Sequence, residues 1–283
     1  MMAVRSRGAG GALWRNPTLA IGGGATLVLV AAAIVSRFWT PADPTAINIP
    51  GRLGAPLEAG LFGADHFGRD VASMLMAGAW NSLSIAVIAV ALGLSAGVAL
   101  GTAAAALRGW VDEAVMRIAD VTLAFPAVLS AIILGALIGP GVLTAVIAIG
   151  VFNIPVFARV ARGSALQILS RDYVLAARAA GKGPVLITLH HVLPNIAGLL
   201  VVQGTIQLAL AILAEAGLSF IGIGLPPPAP SWGRMLSEAQ TYLAQAPHLA
   251  IFPGLAIAVT VLSLNMLGDG LRDAIDPKLR RRR

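Results

Sequence analysis

The residues of this chain that could do chemistry gather mainly in one polar stretch. Residues 172–195, reading DYVLAARAAGKGPVLITLHHVLPN, interrupt a chain that otherwise consists largely of long uncharged runs. Gly181-Lys182-Gly183 is the closest match to a phosphate-binding loop, but it lacks the upstream glycine and the following Ser or Thr of G-x-x-x-x-G-K-[ST]. We therefore do not expect this chain to bind ATP through such a loop.

Few other residues have the type and spacing of a chemical site. His190 and His191 invite a metal site, but neighbours on a helix point about 100° apart, so packing or an interface role is favoured. Neither G-x-S-x-G nor H-E-x-x-H occurs. Glu215, at the outer end of an apolar run, is either an interfacial or capping carboxylate or a ligand for substrate.

The composition is that of an integral membrane protein. Of 283 residues, 57% are hydrophobic and only 12% are charged, against about 25% in ordinary soluble domains. The chain has no cysteine, which excludes disulfides, thiolate metal sites and cysteine nucleophiles. Its net charge of +7 comes from basic residues that flank apolar runs. That pattern indicates membrane topology and contact with lipid rather than nucleic-acid binding.

Uncharged runs predict six membrane spans, because a hydrocarbon core about 30 Å thick needs about 20 apolar residues in a helix. The first run could also be a cleaved signal peptide, since Ala31-Ala32-Ala33 resembles a cleavage site, but its length and the later spans favour a membrane helix. Gly139-Pro140-Gly141 predicts a tight turn that makes spans three and four a hairpin. The predicted spans lie within 16–36 and at 83–106, 121–138, 142–158, 196–214 and 249–268.

Charge between the spans predicts the orientation. Residues 159–195 carry five basic side chains and one acidic one, and both termini are basic. Lys and Arg are enriched in cytoplasmic loops, so both termini and this loop are expected in the cytoplasm, and connector 108–120 shares that side by parity. The predicted organisation is a cytoplasmic tail (1–15), a first span with an extracytoplasmic loop and interfacial helix (16–82), a core of five spans containing the loop 159–195 (83–268), and a basic cytoplasmic tail (269–283).

The polar stretch resembles the EAA loop of bacterial ABC importer permeases. Ala176-Ala177, Gly181 and His191-x-Leu193-Pro194 stand at that loop's spacing, while Leu175 replaces the acidic residue that names the motif. Leu175 and His191 are both typical of the peptide-importer branch. The other matching segments, in chain order, are Ala64–Asp70, Asp112–Pro126, Glu215–Phe220, Pro228–Gly233, Phe252–Gly254 and Leu267–Asp273. Over residues 60–278 the chain resembles the C-type permease subunit of dipeptide, oligopeptide and nickel importers.

The resemblance implies a fold and a set of partners. The expected fold is an all-α, polytopic, six-helix type I importer permease (MetI-like) in the bacterial cytoplasmic membrane. The expected partners are a homologous sibling permease, two ABC ATPase subunits and an extracytoplasmic substrate-binding protein. ATP and Mg are expected on the ATPases, with no cofactor on this chain, which is a transport subunit and not an enzyme. Di- or oligopeptides are the expected cargo, with a nickel chelate or glutathione as alternatives.

The resemblance also implies roles for particular residues. The loop would form a short helix over Tyr173–Ala180 that docks on an ATPase, with Gly181 and Gly183-Pro184 ending it. An amphipathic helix lying on lipid headgroups is the alternative for this loop. The predicted ATPase-coupling residues are Tyr173, Ala176, Ala177, Arg178, Gly181, His191, Leu193 and Pro194. Glu215, Ser219 and Phe220 are predicted to belong to the translocation path or an outer gate.

Three other classes of protein fit less well. A secondary transporter should carry coupling-ion carboxylates within its spans and internal repeats. A membrane enzyme should show a polar catalytic cluster. An exporter usually has its ATPase fused to the permease and lacks this loop.

Overall fold

The computed structural model describes residues 17–275, and this part of the chain is almost entirely helical. Two short 3-10 turns, Ile49–Gly51 and Gln240–Tyr242, lie in its connections. The helices are α1 (Pro17–Val35), α2 (Val71–Leu107), α3 (Gly109–Ala124), α4 (Ala127–Ile138), α5 (Val142–Leu169), α6 (Asp172–Ala179), α7 (Pro184–Ile187), α8 (Leu193–Phe220), α9 (Trp232–Ala239) and α10 (His248–Ile275).

Among the described residues, five helical segments are long and apolar enough to cross a membrane: α1, α2, α5, the run Pro184–Phe220, and α10. The pair α3–α4 is bent by 86° and gives a sixth span if it is counted as one broken segment. The predicted all-α, polytopic architecture is confirmed.

The centre of the fold is the interface between α2 and α5, which pack more extensively than any other described pair of helices. Gly93, Gly97 and Gly101 line the α2 side at intervals of four residues, which places them on one face. A Cβ added at Gly97 would lie 2.5 Å from the Ile154 carbonyl oxygen and 2.7 Å from the Phe157 Cβ. The two backbones therefore touch, as small residues allow in membrane helices.

Several helix bounds differ from the predicted spans. The predicted interfacial segment and the span 83–106 form one continuous helix, α2, whose start is capped by Asp70 through its Oδ2, which accepts a hydrogen bond from the Ser73 N–H at 2.8 Å. The predicted span 121–138 is broken at Phe125-Pro126, because a proline disfavours helical conformation in the residue before it. Phe125 has an extended backbone, with φ −81° and ψ 134°. Gly139 has a φ of +85° and ends α4, so the predicted turn before α5 is present.

Candidate functional site

The predicted docking segment, residues 172–195, contains a short exposed helix, α6, with a well-formed C-terminal cap. The Lys182 N–H donates to the Ala177 carbonyl at 3.1 Å, and the Gly181 N–H donates to the Arg178 carbonyl at 3.0 Å. Gly181 has a φ of +86°. These bonds and this conformation form a Schellman motif, in which glycine is favoured because it has no Cβ. The sequence expectation that Gly181 ends the helix is met by this local geometry, whereas the predicted helix 173–180 spans Asp172–Ala179.

One side chain of α6 fixes it to the membrane helices. Val174 is fully buried in an apolar cluster that joins the ends of α2, α5 and α8 to the docking segment. Tyr173 and Leu175 are 46% and 48% exposed, so α6 presents apolar surface outwards. The cluster consists of Ala105, Ala161, Ala165, Leu169, Val174, Ile187, Val192 and Ile196.

The second half of the docking segment is helical and runs directly into the next span. After α7, residues Thr188–Val192 make a π-helical turn that continues as α8. Since α5 also extends to Leu169, the part of 159–195 that lies outside the long helices is shorter than predicted. Nothing in the polar sequence stops α5 before Ser170, and Pro194 stands in the first turn of α8, where proline is tolerated.

The structure brings Tyr173 and His191 together. Their ring centroids are 5.9 Å apart with the planes inclined by 60°, an edge-to-face contact between α6 and the π-helical turn. His190 instead points to its own helix, with Nδ1 at 3.0 Å from the Leu186 carbonyl oxygen. The adjacent histidines therefore serve different contacts. Leu193 is partly buried, and Pro194 is exposed.

The second predicted group lies at the opposite end of α8. Glu215 is fully buried, and its Oε1 accepts a hydrogen bond from the Ser219 hydroxyl at 2.6 Å. The hydroxyls of Ser82 and Ser231 lie near the carboxylate, although Oε2 has no partner at hydrogen-bonding geometry. Because α8 continues to Phe220, Glu215 is neither a helix cap nor an exposed interfacial group. It lies in a core where α2, α8 and α9 meet, while Phe220 is 38% exposed.

A buried ionic network joins the loop before α2 to α9. The Arg69 guanidinium donates to Asp65 Oδ2 through Nε at 2.6 Å and to Glu238 Oε2 through Nη2 at 2.8 Å. Arg234 donates to the other Glu238 oxygen at 2.8 Å. With His66, Asp65 and Glu238 also have the spacing of a metal-binding group, but both carboxylates already pair with arginine. The arrangement is that of a structural ionic link.

Residues 97–281 match the family model described as the binding-protein-dependent transport system inner membrane component. The chain belongs to this family. The glutathione transport system permease protein GsiD of Pectobacterium atrosepticum is 41% identical over 255 residues, which cover 90% of this chain and 85% of the relative. GsiD of Escherichia coli O157:H7 is 41% identical over the same length, with 84% of the relative covered.

A solved structure shares the fold of this permease. The inward-facing MetNI methionine ABC transporter matches with a TM-score of 0.60 and 20% identity, over 72% of this chain and 96% of the matched chain. At that identity the likeness shows the fold alone. The predicted MetI-like fold and the prediction of an ABC importer permease are confirmed. The permease is a multi-pass inner-membrane component, and membership of its family implies ATPase and substrate-binding-protein partners.

Sequence reasoning missed two ion pairs beside the docking segment. Arg162 forms a two-bond pair with Asp112, through Nε to Oδ1 and through Nη2 to Oδ2, the latter at 2.6 Å. Arg159 Nη2 lies 2.5 Å from Asp120 Oδ1. In the sequence these arginines serve only as basic charges that orient the loop, although their placement three residues apart puts both on one side of a helix. Their partners on α3 are not apparent from local sequence.

Proposed function

We propose that this permease forms one half of a translocation path for short peptides, including glutathione, and is moved by ATPase subunits that dock on residues 172–195. A homologous sibling permease supplies the other half. ATP and Mg bind to the ATPases, and this chain performs no hydrolysis. Both termini and the docking segment lie in the cytoplasm, and membrane lipid surrounds the helices.

The observation that carries the docking proposal is the form of α6. It is a single short helix held between two spans, anchored inwards by Val174 and exposed outwards at Tyr173 and Leu175. Ala176 is exposed and Ala177 is half-buried on the same short helix, and their small side chains permit close approach of another surface. A helix lying on headgroups would be expected to bury an apolar face in lipid. Here the fully buried apolar side chain of α6 packs into the protein.

The sibling permease is supported by the unpartnered face of the broken pair α3–α4. Large apolar side chains are exposed along both helices, and within each helix several of them lie three or four residues apart, which is the spacing of one helix face. The exposed residues include Ile118, Val121, Phe125, Leu129, Ile132 and Leu137. A homologous membrane subunit of similar apolar character matches such a face.

Short peptides are the proposed cargo because the motifs and the names of the relatives agree. The motifs resemble those of peptide importers, and the relatives at 41% identity are named for transport of glutathione, which is itself a tripeptide. The test is uptake into proteoliposomes by the complete complex, with purified binding protein and ATP. We expect ATP-dependent accumulation of labelled glutathione or a dipeptide, and competition between them if one site serves both. If neither glutathione nor the dipeptide is taken up, the peptide proposal is refuted.

Docking is tested separately with a bulky residue on α6. Ala177→Trp should lower binding-protein-stimulated ATP hydrolysis and uptake at least tenfold while leaving the amount of permease in the membrane unchanged. Gly163→Trp is the matched control, because Gly163 is exposed on α5 with open space around it. Normal stimulation in Ala177→Trp would contradict docking at α6.

Orientation is open to direct measurement because the chain has no cysteine. Single cysteines at Lys182 and Glu58 should react with a membrane-impermeant maleimide from opposite sides of the membrane. Labelling of both from the same side of sealed cells would overturn the topology.

A further inference from the structure

We infer that the ion pairs Arg162–Asp112 and Arg159–Asp120 make α3 move with α5, so that movement at the docking segment reaches the broken span α3–α4. This inference rests on the proposed docking function. It assigns a positioning role to four side chains that lie outside the docking segment itself.

The first step is the attachment of the docking segment to α5. Val174 of α6 is buried against a cluster to which α5 contributes Ala161, Ala165 and Leu169. Only Ser170 and Arg171 separate the end of α5 from the start of α6. A displacement of α6 therefore acts directly on the C-terminal half of α5.

The second step is the attachment of α5 to α3. Successive residues on a helix are about 100° apart, so Arg159 and Arg162 occupy a face roughly a quarter turn from Ala161, Ala165 and Leu169. One face of α5 thus contacts the docking segment while another holds α3. Both arginines find their carboxylates on α3, at positions eight residues apart.

The two ion pairs differ in strength. Arg162 and Asp112 are 32% and 20% exposed and make two parallel bonds, a geometry that fixes orientation as well as distance. Arg159 and Asp120 are 45% and 59% exposed and make one bond, and such solvated pairs contribute little. Arg162–Asp112 is therefore the principal link, and Arg159–Asp120 supports it.

The third step concerns where the helices can bend. Pro155 lies inside α5, four residues before Arg159, and removes one backbone hydrogen bond of that helix. Phe125-Pro126 separates α3 from α4. In α5 the break precedes the arginines, and in α3 it follows the aspartates. Because Arg159 pairs with Asp120 and Arg162 with Asp112, the two helices run in opposite directions, so both breaks lie at the same end of the paired region. The part of α5 that follows Pro155 and the whole of α3, which ends before Pro126, thus form one unit.

The same helix supplies a matched control. Glu113 and Arg117 form an ion pair within α3, 3.9 Å apart, with both side chains more than 70% exposed. This pair has the same charges as Asp112–Arg162 but does not reach α5. Its removal should leave coupling between the helices intact.

The test uses the complete complex in proteoliposomes and measures peptide uptake per ATP hydrolysed. Asp112→Asn and Arg162→Gln should each lower this ratio at least fivefold, with binding-protein-stimulated hydrolysis largely retained. The exchange Asp112→Arg with Arg162→Asp should restore the ratio to within about twofold of the parent. Glu113→Gln with Arg117→Gln should match the parent. An unchanged ratio in the single variants, or an exchange no better than either single variant, overturns the inference.

A second measurement does not depend on activity. Spin labels on Glu113→Cys and Gln167→Cys, both at exposed positions, report the distance between α3 and α5. In the parent this distance should be the same before and after trapping ATP, and in Asp112→Asn trapping should change or broaden it. A parent distance that changes on trapping refutes the rigid unit. Docking is tested by the loss of binding-protein-stimulated ATP hydrolysis in Ala177→Trp, and the linkage is tested by the distance between α3 and α5. The two measurements are independent, so a failure of docking can be told from a failure of the linkage.

Discussion

The ring of Tyr173 meets the edge of the ring of His191 with centroids 5.9 Å apart, and this contact joins α6 to the turn that begins the run into α8. The two residues are far apart within the docking segment, yet they pack as a pair. A docked ATPase that moves α6 would therefore act on two spans, on α5 through Val174 and on α8 through this aromatic contact.

The aromatic contact predicts a specific pattern of substitutions. Tyr173→Ala should lower binding-protein-stimulated ATP hydrolysis several-fold, because aromatic pairs contribute about 0.5–1.5 kcal/mol beyond the area they bury. His191→Phe keeps a ring at the contact and should remain within about twofold of the parent. His190→Ala is the control, because the His190 ring bonds to the Leu186 carbonyl of its own helix and not to Tyr173. If His191→Phe and Tyr173→Ala lowered stimulated ATP hydrolysis equally, ring packing would not be the cause of the loss.

The cap of α6 predicts a different pattern at Gly181. A Cβ there meets nothing within 4 Å, so a substitution is opposed only by the positive φ. Gly181→Asn should be tolerated better than Gly181→Val, because asparagine adopts this conformation far more readily than a β-branched residue. Stimulated hydrolysis should fall in the order Gly, Asn, Val, with equal membrane levels. If Gly181→Val supported as much stimulated hydrolysis as Gly181→Asn, the left-handed conformation at this position would not be required.

The sequence indicated the spans well and their ends poorly. Hydrophobic runs identify membrane helices because lipid requires about 20 apolar residues, but a helix continues into water until something stops it. Hence α5 extends to Leu169 and α8 to Phe220. The break at Phe125-Pro126 is readable from the proline alone.

Contacts between distant segments lay beyond sequence reasoning. Arg69 and Glu238 are 169 residues apart in the chain, and Asp112 and Arg162 are 50 residues apart. Each of these residues looks like an ordinary loop or interfacial charge in the sequence. Their pairing depends on how the helices pack, which spacing along one segment does not specify. The end of α6 could be predicted because its signal, Gly181, is local.

The buried network around Arg69 predicts a large loss of stability when one partner is removed. Arg69→Met leaves Asp65 without its arginine and Glu238 with only Arg234, and breaking a buried pair costs about 3–5 kcal/mol. The purified variant should unfold at a clearly lower temperature than the parent. Arg117→Gln removes an exposed pair on α3, where the expected cost is about 0–1 kcal/mol. Similar shifts for both variants would contradict a structural role for the network.

The close contact of α2 and α5 gives a prediction about the fold's centre. Gly97→Val should strongly reduce the amount of folded permease in the membrane, because its Cβ would lie 2.5 Å from the Ile154 carbonyl oxygen and 2.7 Å from the Phe157 Cβ. These contacts are with backbone and a first side-chain carbon, so neither can move away without separating the helices. Gly204→Val on α8 is the control, since a Cβ there meets nothing within 4 Å. The check is the fraction of protein recovered as a single species by size-exclusion chromatography in detergent. Equal recovery of the two variants would show that α2 and α5 do not need backbone contact at this position.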